Sequence, residues 1–114
     1  MARQKYLLLQ RGSAGGERPS FSPAQMQEMY AAFNAWKDKF QANIVDMGGR
    51  LTSGGKVLTT SGVVDGPLVE SKEIVGGYMV VVADSYDEAL DIARGCPGLI
   101  RPGSGCEIRE IMSA

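Results

Sequence analysis

Val63 to Ala83 reads VVDGPLVESKEIVGGYMVVVA. It holds a short strand, a fixed turn, a charged crossing and a long apolar strand. Val63-Val64 is a brief extended segment. Asp65-Gly66-Pro67 is turn chemistry: Asp bonds amides two residues on, Gly takes unusual dihedrals, and Pro fixes φ and removes a donor. Pro67 also turns Gly66 away from the helical region. Glu70 to Glu73 is a polar run of mixed sign, and Gly76-Gly77 lets the backbone bend or approach a neighbour closely. Tyr78 to Ala83 is Val-rich and apolar on both sides, which predicts a central strand.

Working upstream, Lys56 to Thr60 predicts a strand joined to Val63-Val64 by a tight turn at Ser61-Gly62. The paired glycines 48-49 and 54-55 read as turns, because neither phosphate-loop spacing is present. A helix before them carries clear signals: Ser22 as N-cap, Pro23 at the first helical position, Gln25 closing a capping box, and Phe21 with Met26 as a staple. Met26, Met29, Tyr30, Phe33, Phe40 and either Trp36 or Lys37 keep the 3.6 period, so this stripe is expected in the core. The helix should end near Ala42, with Asn43 as its left-handed cap. Tyr6 to Leu9 predicts the first strand, apolar on both faces. Ser13 to Pro19 is a polar loop, a solvated connection or a lid.

Downstream, Ser85 caps a second helix, with Glu88 completing a capping box, Tyr86, Ala89, Leu90 and Ala93 forming its apolar stripe, and Gly95 ending it. Cys106 to Met112 alternates charge and predicts an edge strand. The order is strand, helix, three strands, helix, strand. This is an α+β pattern, an antiparallel sheet with two helices on one face. Both central strands are apolar on both sides, so the uncovered face needs an apolar partner. A second copy of the sheet supplies one, and a homodimer is expected.

The 114 residues make one domain, 1–114, with 44% hydrophobic and 22% charged residues. The net charge of −1 gives no electrostatic case for nucleic acid. No apolar run approaches the ~18 residues of a membrane span. No signal-like segment follows Met1, so a cytoplasmic protein with reduced thiols is expected. The two cysteines, Cys96 and Cys106, are too few for a disulfide scaffold or zinc cage.

The stretch Asp65 to Tyr78, D-G-P-L-x-E-x-K-E-x-x-G-G-Y, resembles the signature of the YCII-related family, in its DGPF branch. Leu68 stands where that branch usually has Phe. The likeness extends to K-Y-L-L-L at the start, the long helix, D-S-Y-D-E-A-L and a final E-I-R-E-I, most of the chain. It implies a ferredoxin-like fold that dimerises into an α/β barrel, without one settled function. A His–Asp pair is proposed as catalytic in the wider family, and the histidine count here is 0. Members of the branch are often encoded beside alternative sigma factors, which implies a signalling context.

Without histidine, activated Ser or Cys nucleophiles lack their usual base. Neither cysteine has a partner in sequence, and each reads as a small packed residue. Asp65, Glu70 and Glu73 lack any established metal-binding spacing, so no metal or other cofactor is expected. Carboxylate acid–base chemistry remains. Asp65, in a pocket between sheet and helices, is the candidate base or acid, with Tyr78 orienting a substrate oxygen. Arg11 and Lys72 offset negative charge, and Glu73 joins them as a candidate ligand contact. Alternatively, Asp65 caps its turn, the run Glu70 to Glu73 is solvated, and Tyr78 is core. Two functions follow: a small-molecule enzyme of isomerase or lyase type, supported by analogy with the barrel relatives, or a non-catalytic ligand-binding or accessory module.

Overall fold

The computed structural model describes residues 3–13, 21–52, 54–66, 73–97, 99 and 104–113. Its elements are β1 (Gln4–Ser13), α1 (Pro23–Lys39), β2 (Ile44–Arg50), β3 (Gly55–Thr59), β4 (Gly62–Gly66), β5 (Glu73–Ala83), α2 (Tyr86–Gly95) and β6 (Gly105–Glu110). Four strands form one antiparallel sheet in the order β2-β5-β1-β6, while β3 and β4 pair as a separate hairpin. Each helix carries the chain past an intervening strand, α1 across β5 and α2 across β1. This is an α+β arrangement consistent with a ferredoxin-like fold. As expected, β1 and β5 are central and β6 is an edge.

Register sorts the sheet into two faces, because residues directly opposite one another project to the same side. Tyr6 faces Val81, and Leu8 faces both Met79 and Ile108. These side chains meet the helices, where Tyr6, Leu8, Trp36, Val81, Ala83, Ala89, Ile92, Ala93 and Cys96 form the buried core. On the opposite face Lys5 meets Val82, Leu7 meets Val80 and Leu9 meets Tyr78. The thinnest dimension is 20 Å, the depth of two layers.

Local chemistry explains the helix starts. Ser22 accepts from the Gln25 amide and Gln25 returns the bond to the Ser22 amide, so the capping box is present with Pro23 behind it. Ser85 accepts from the Glu88 amide in the same way. The expected second half of that box is absent: the Glu88 carboxylate accepts from Asn43 Nδ2 at 3.1 Å, and that amide also reaches the Val82 carbonyl at 2.9 Å. Asn43 thus ties the α1–β2 connection to β5 and α2, and α1 stops earlier than expected, at Lys39 with Phe40 as its cap.

Two further expectations change. The α1 stripe is core only in its C-terminal half: Trp36 is buried and Phe33 and Phe40 are partly buried, whereas Met26, Met29 and Tyr30 are exposed. In α2 the buried line is Ala89, Ile92, Ala93 and on to Cys96, with Tyr86 and Leu90 exposed, a rotation of the stripe about the helix axis. Trp36 locks the two helices together. Its Nε1 donates to the Ile92 carbonyl at 2.9 Å. That carbonyl lies in the last turn of α2, where Cys96 N bonds Ala93 instead.

The largest correction concerns Gly48-Gly49. They lie inside a strand, β2, that the sequence pattern hid. Between Asp46 and Gly49 the register against β5 slips by a residue, a bulge. Asp46 Oδ1 accepts from the Gly48 amide at 2.8 Å, and Gly48 takes φ of 64°. A Cβ at Gly48 would stand 1.9 Å from the Tyr78 carbonyl oxygen. Only glycine lets the bulged strand lie this close to β5.

Candidate functional site

On the helix side of the sheet lies a half-open cleft of about 280 Å³. Leu8, Phe33, Met47, Met79, Cys96, Pro97 and Leu99 give it apolar walls, and Gln10, Gly49, Arg50, Gly77 and Tyr78 line the rest. The β1–β5–β2 sheet is its floor and α1 one side. Gly77 keeps that floor low. A Cβ there would come within 3.2 Å of the Gly49 carbonyl oxygen and 3.4 Å of Gln10 Oε1.

The polar groups come from three adjacent strands at one end. Gln10, Gly77 and Arg50 are consecutive partners across β1, β5 and β2, so their side-chain positions share the cleft face. The bulge at Gly48 sets this phase, because a one-residue change in register moves a side chain to the other face. A second irregularity, where Gln10 pairs with Gly77 but Arg11 with Val75, leaves Gly76 unmatched and bends β5 just past the site.

Cys96 is the buried thiol of the cleft. Burial, and to a lesser degree Cys106, pushes its thiol up to about 11, so near neutrality it is protonated and a poor nucleophile. Burial pushes Cys106 up as well, partly offset by a hydrogen bond from the Leu9 backbone. Both therefore behave as packing residues, as their isolation in sequence implied.

The residues singled out from sequence are dispersed. Asp65 sits in β4 opposite Lys56, with which it forms an ion pair, and its side chain is 86% exposed. It is not among the described cleft-lining residues. The hairpin that carries it forms its own two-stranded sheet, with Leu58 79% exposed at its surface. Tyr78 borders the cleft, yet register groups its side chain with Leu9 and Val80 on the far face. Arg11 reaches across to β6, where its Nη1 donates to Glu107 Oε1 at 2.7 Å. Glu73 opens β5 opposite Ser13. Lys72, the Pro67–Val69 part of the turn and most of the Ser13–Pro19 loop lie outside the described residues. Among the described residues no group of three or more Cys, Asp or Glu side chains is placed to hold a metal ion.

Sequence reasoning missed Gln10 and Arg50. Gln10 stood at the frayed end of a strand read as stopping at Leu9, and Arg50 stood between two glycine pairs read as turns. Ile44-Val45, whose branched side chains favour extended chain, marked only the start of β2 and not its continuation to Arg50.

The sequence pattern of the YCII-related domain matches residues 5–113. The chain belongs to the YCII-related domain family. Comparison with curated proteins gives no match. Apart from Gln4 at the start of β1, the matched span takes in the strands and helices of the described residues, so the YCII-related domain includes the cleft as well as the hairpin. No helix among the described residues is long and apolar enough to cross a membrane.

Proposed function

We propose that this YCII-related domain is a small-molecule-binding module whose ligand occupies the cleft between α1 and the sheet. One observation carries the reading: a concave site of about 280 Å³ with apolar walls and polar groups gathered at one end. That composition is typical of ligand sites, and the volume is just below the usual range, which suits a small ligand. The ionisable side chains among its described lining residues are Arg50, Tyr78 and Cys96. A guanidinium, a phenol facing the far side and a protonated thiol favour binding over proton abstraction.

The module works as a homodimer. Leu7, Leu9, Val80 and Val82 share the face of the sheet away from the helices, and Tyr78 beside them is 40% exposed. The Asp65–Tyr78 motif supports a place in the DGPF branch, and with it an accessory role in signalling.

The catalytic reading, an isomerase or lyase with Asp65 as base, retains one support, the position of Tyr78 at the cleft border. It requires Asp65 to act on a substrate held elsewhere than in its own exposed ion pair. A fragment screen followed by backbone-amide NMR separates the readings. Binding in the cleft predicts shifts at Gln10, Gly77, Met79 and Leu99 that persist in Asp65→Asn. Shifts centred on Val64 and Asp65, with turnover lost in Asp65→Asn, would restore the catalytic reading.

A further inference from the structure

Resting on the cleft as the binding site, we infer that its ligand is a small carboxylate with an apolar body, read by Arg50 and Gln10. Three observations converge. First, Arg50 lines the cleft and pairs in register with Gly77, on the face that Gln10 shares. Second, none of the ion pairs formed among the described residues involves Arg50. The nearest acid in sequence, Asp46, is held at Gly48 N and pairs with Val80, whose register belongs to the opposite face. Third, Gln10 Oε1 lies over the floor at Gly77, within 3.4 Å of where a Cβ would stand. The missing side chain at Gly77 leaves space between Gln10 and Arg50, whose Cα lies 3.8 Å from where that Cβ would stand.

This geometry selects a charge and a shape. One guanidinium beside one carboxamide matches a planar monoanion: the guanidinium offers paired donors to both carboxylate oxygens, and the amide N–H₂ can donate a further bond. A more highly charged group would call for more cations than the described lining supplies. The rest of the ligand faces Leu8, Phe33, Met79 and Leu99, which accept an aliphatic chain or single ring.

The test titrates phenylacetate, phenylacetamide and phenethylamine against the full chain, following backbone-amide shifts at Gln10, Gly77, Met79 and Leu99. Phenylacetate should bind about 10-fold or more tightly than the neutral amide, the range expected when a hydrogen bond gains a charged partner. The amine should bind most weakly. Arg50→Gln should erase the preference for phenylacetate, weakening phenylacetate far more than phenylacetamide. Gly77→Ala, which fills the floor, should weaken both. Phenylacetamide binding in the cleft as tightly as phenylacetate would overturn the anion inference and leave the small-molecule reading standing. So would a preference that survives Arg50→Gln. If none of the three probes shifts the cleft amides, the inference and the binding reading fail together.

Discussion

Replacing Gly48 with alanine tests the bulge that builds the cleft wall. The new methyl would stand 1.9 Å from the Tyr78 carbonyl oxygen and 2.7 Å from its carbon, and backbone cannot yield as a flexible side chain does. The residue would also hold φ of 64°, which costs an L-residue roughly 1 kcal/mol. β2 must therefore lift from β5 around this point. The neighbouring pairs Gly49–Tyr78 and Arg50–Gly77 would open, along with the 2.9 Å bond from Leu51 N to the Gly76 carbonyl. With each lost backbone bond worth about 1 kcal/mol, the total is about 3–5 kcal/mol. Gly49 is the internal control, because a Cβ there meets nothing within 4 Å and its φ is ordinary. Gly49→Ala should stay within about 0.5 kcal/mol of the parent. Urea unfolding followed by Trp36 fluorescence measures both, and amide NMR reports whether the β2 register survives. A Gly48→Ala loss below about 1 kcal/mol, or equal losses in the two variants, would refute the argument from close approach.

Trp36→Phe removes the only donor that reaches the Ile92 carbonyl from α1. It should cost about 2–4 kcal/mol in thermal or urea unfolding, the sum of an unsatisfied buried acceptor and lost volume; a loss under 1 kcal/mol would mean that α1 docks by other contacts. Because the folded Cys96 thiol is raised to about 11 from 9.0, the folded state holds its proton more tightly than the unfolded chain does. Stability should be intact below pH 9 and fall as pH rises from there through about 11, by up to about 3 kcal/mol. Cys96→Ala should flatten that limb, and an unchanged slope would assign it to other groups. Val80→Lys places a charge on the apolar face beside Leu7. Sedimentation should find the parent chain dimeric at micromolar concentration and this variant monomeric, whereas a monomeric parent would remove the proposed dimer.

The elements themselves were legible because their causes are local. Ser22, Pro23 and Gln25 announce α1, Ser85 announces α2, and the Val-rich run to Ala83 marks a central strand. Strand count against helix count then gives an antiparallel sheet with one covered face. β2 was hidden because its bulge borrows turn chemistry: Asp46 and Gly48 make the same local bond in a strand that they would make in a loop. The stripe on α1 was overread for a related reason. Periodicity finds an apolar face, but how far along that face the sheet extends depends on where β2 ends and on the Trp36–Ile92 bond.

The site divides along the same line. Sequence by itself determined the family, the sheet with its two helices, and the poverty of the chemistry: a histidine count of 0 and two cysteines without partners in sequence. It also drew attention to Asp65, whose surroundings it could not supply. Only the tertiary structure placed Asp65 on an exposed hairpin and brought Gln10, Arg50 and Gly77 together from three strands. The physical reason is register. Which face a strand residue occupies changes with a shift of one position, and here that phase is set by a bulge and by the close approach of Gly48 to Tyr78.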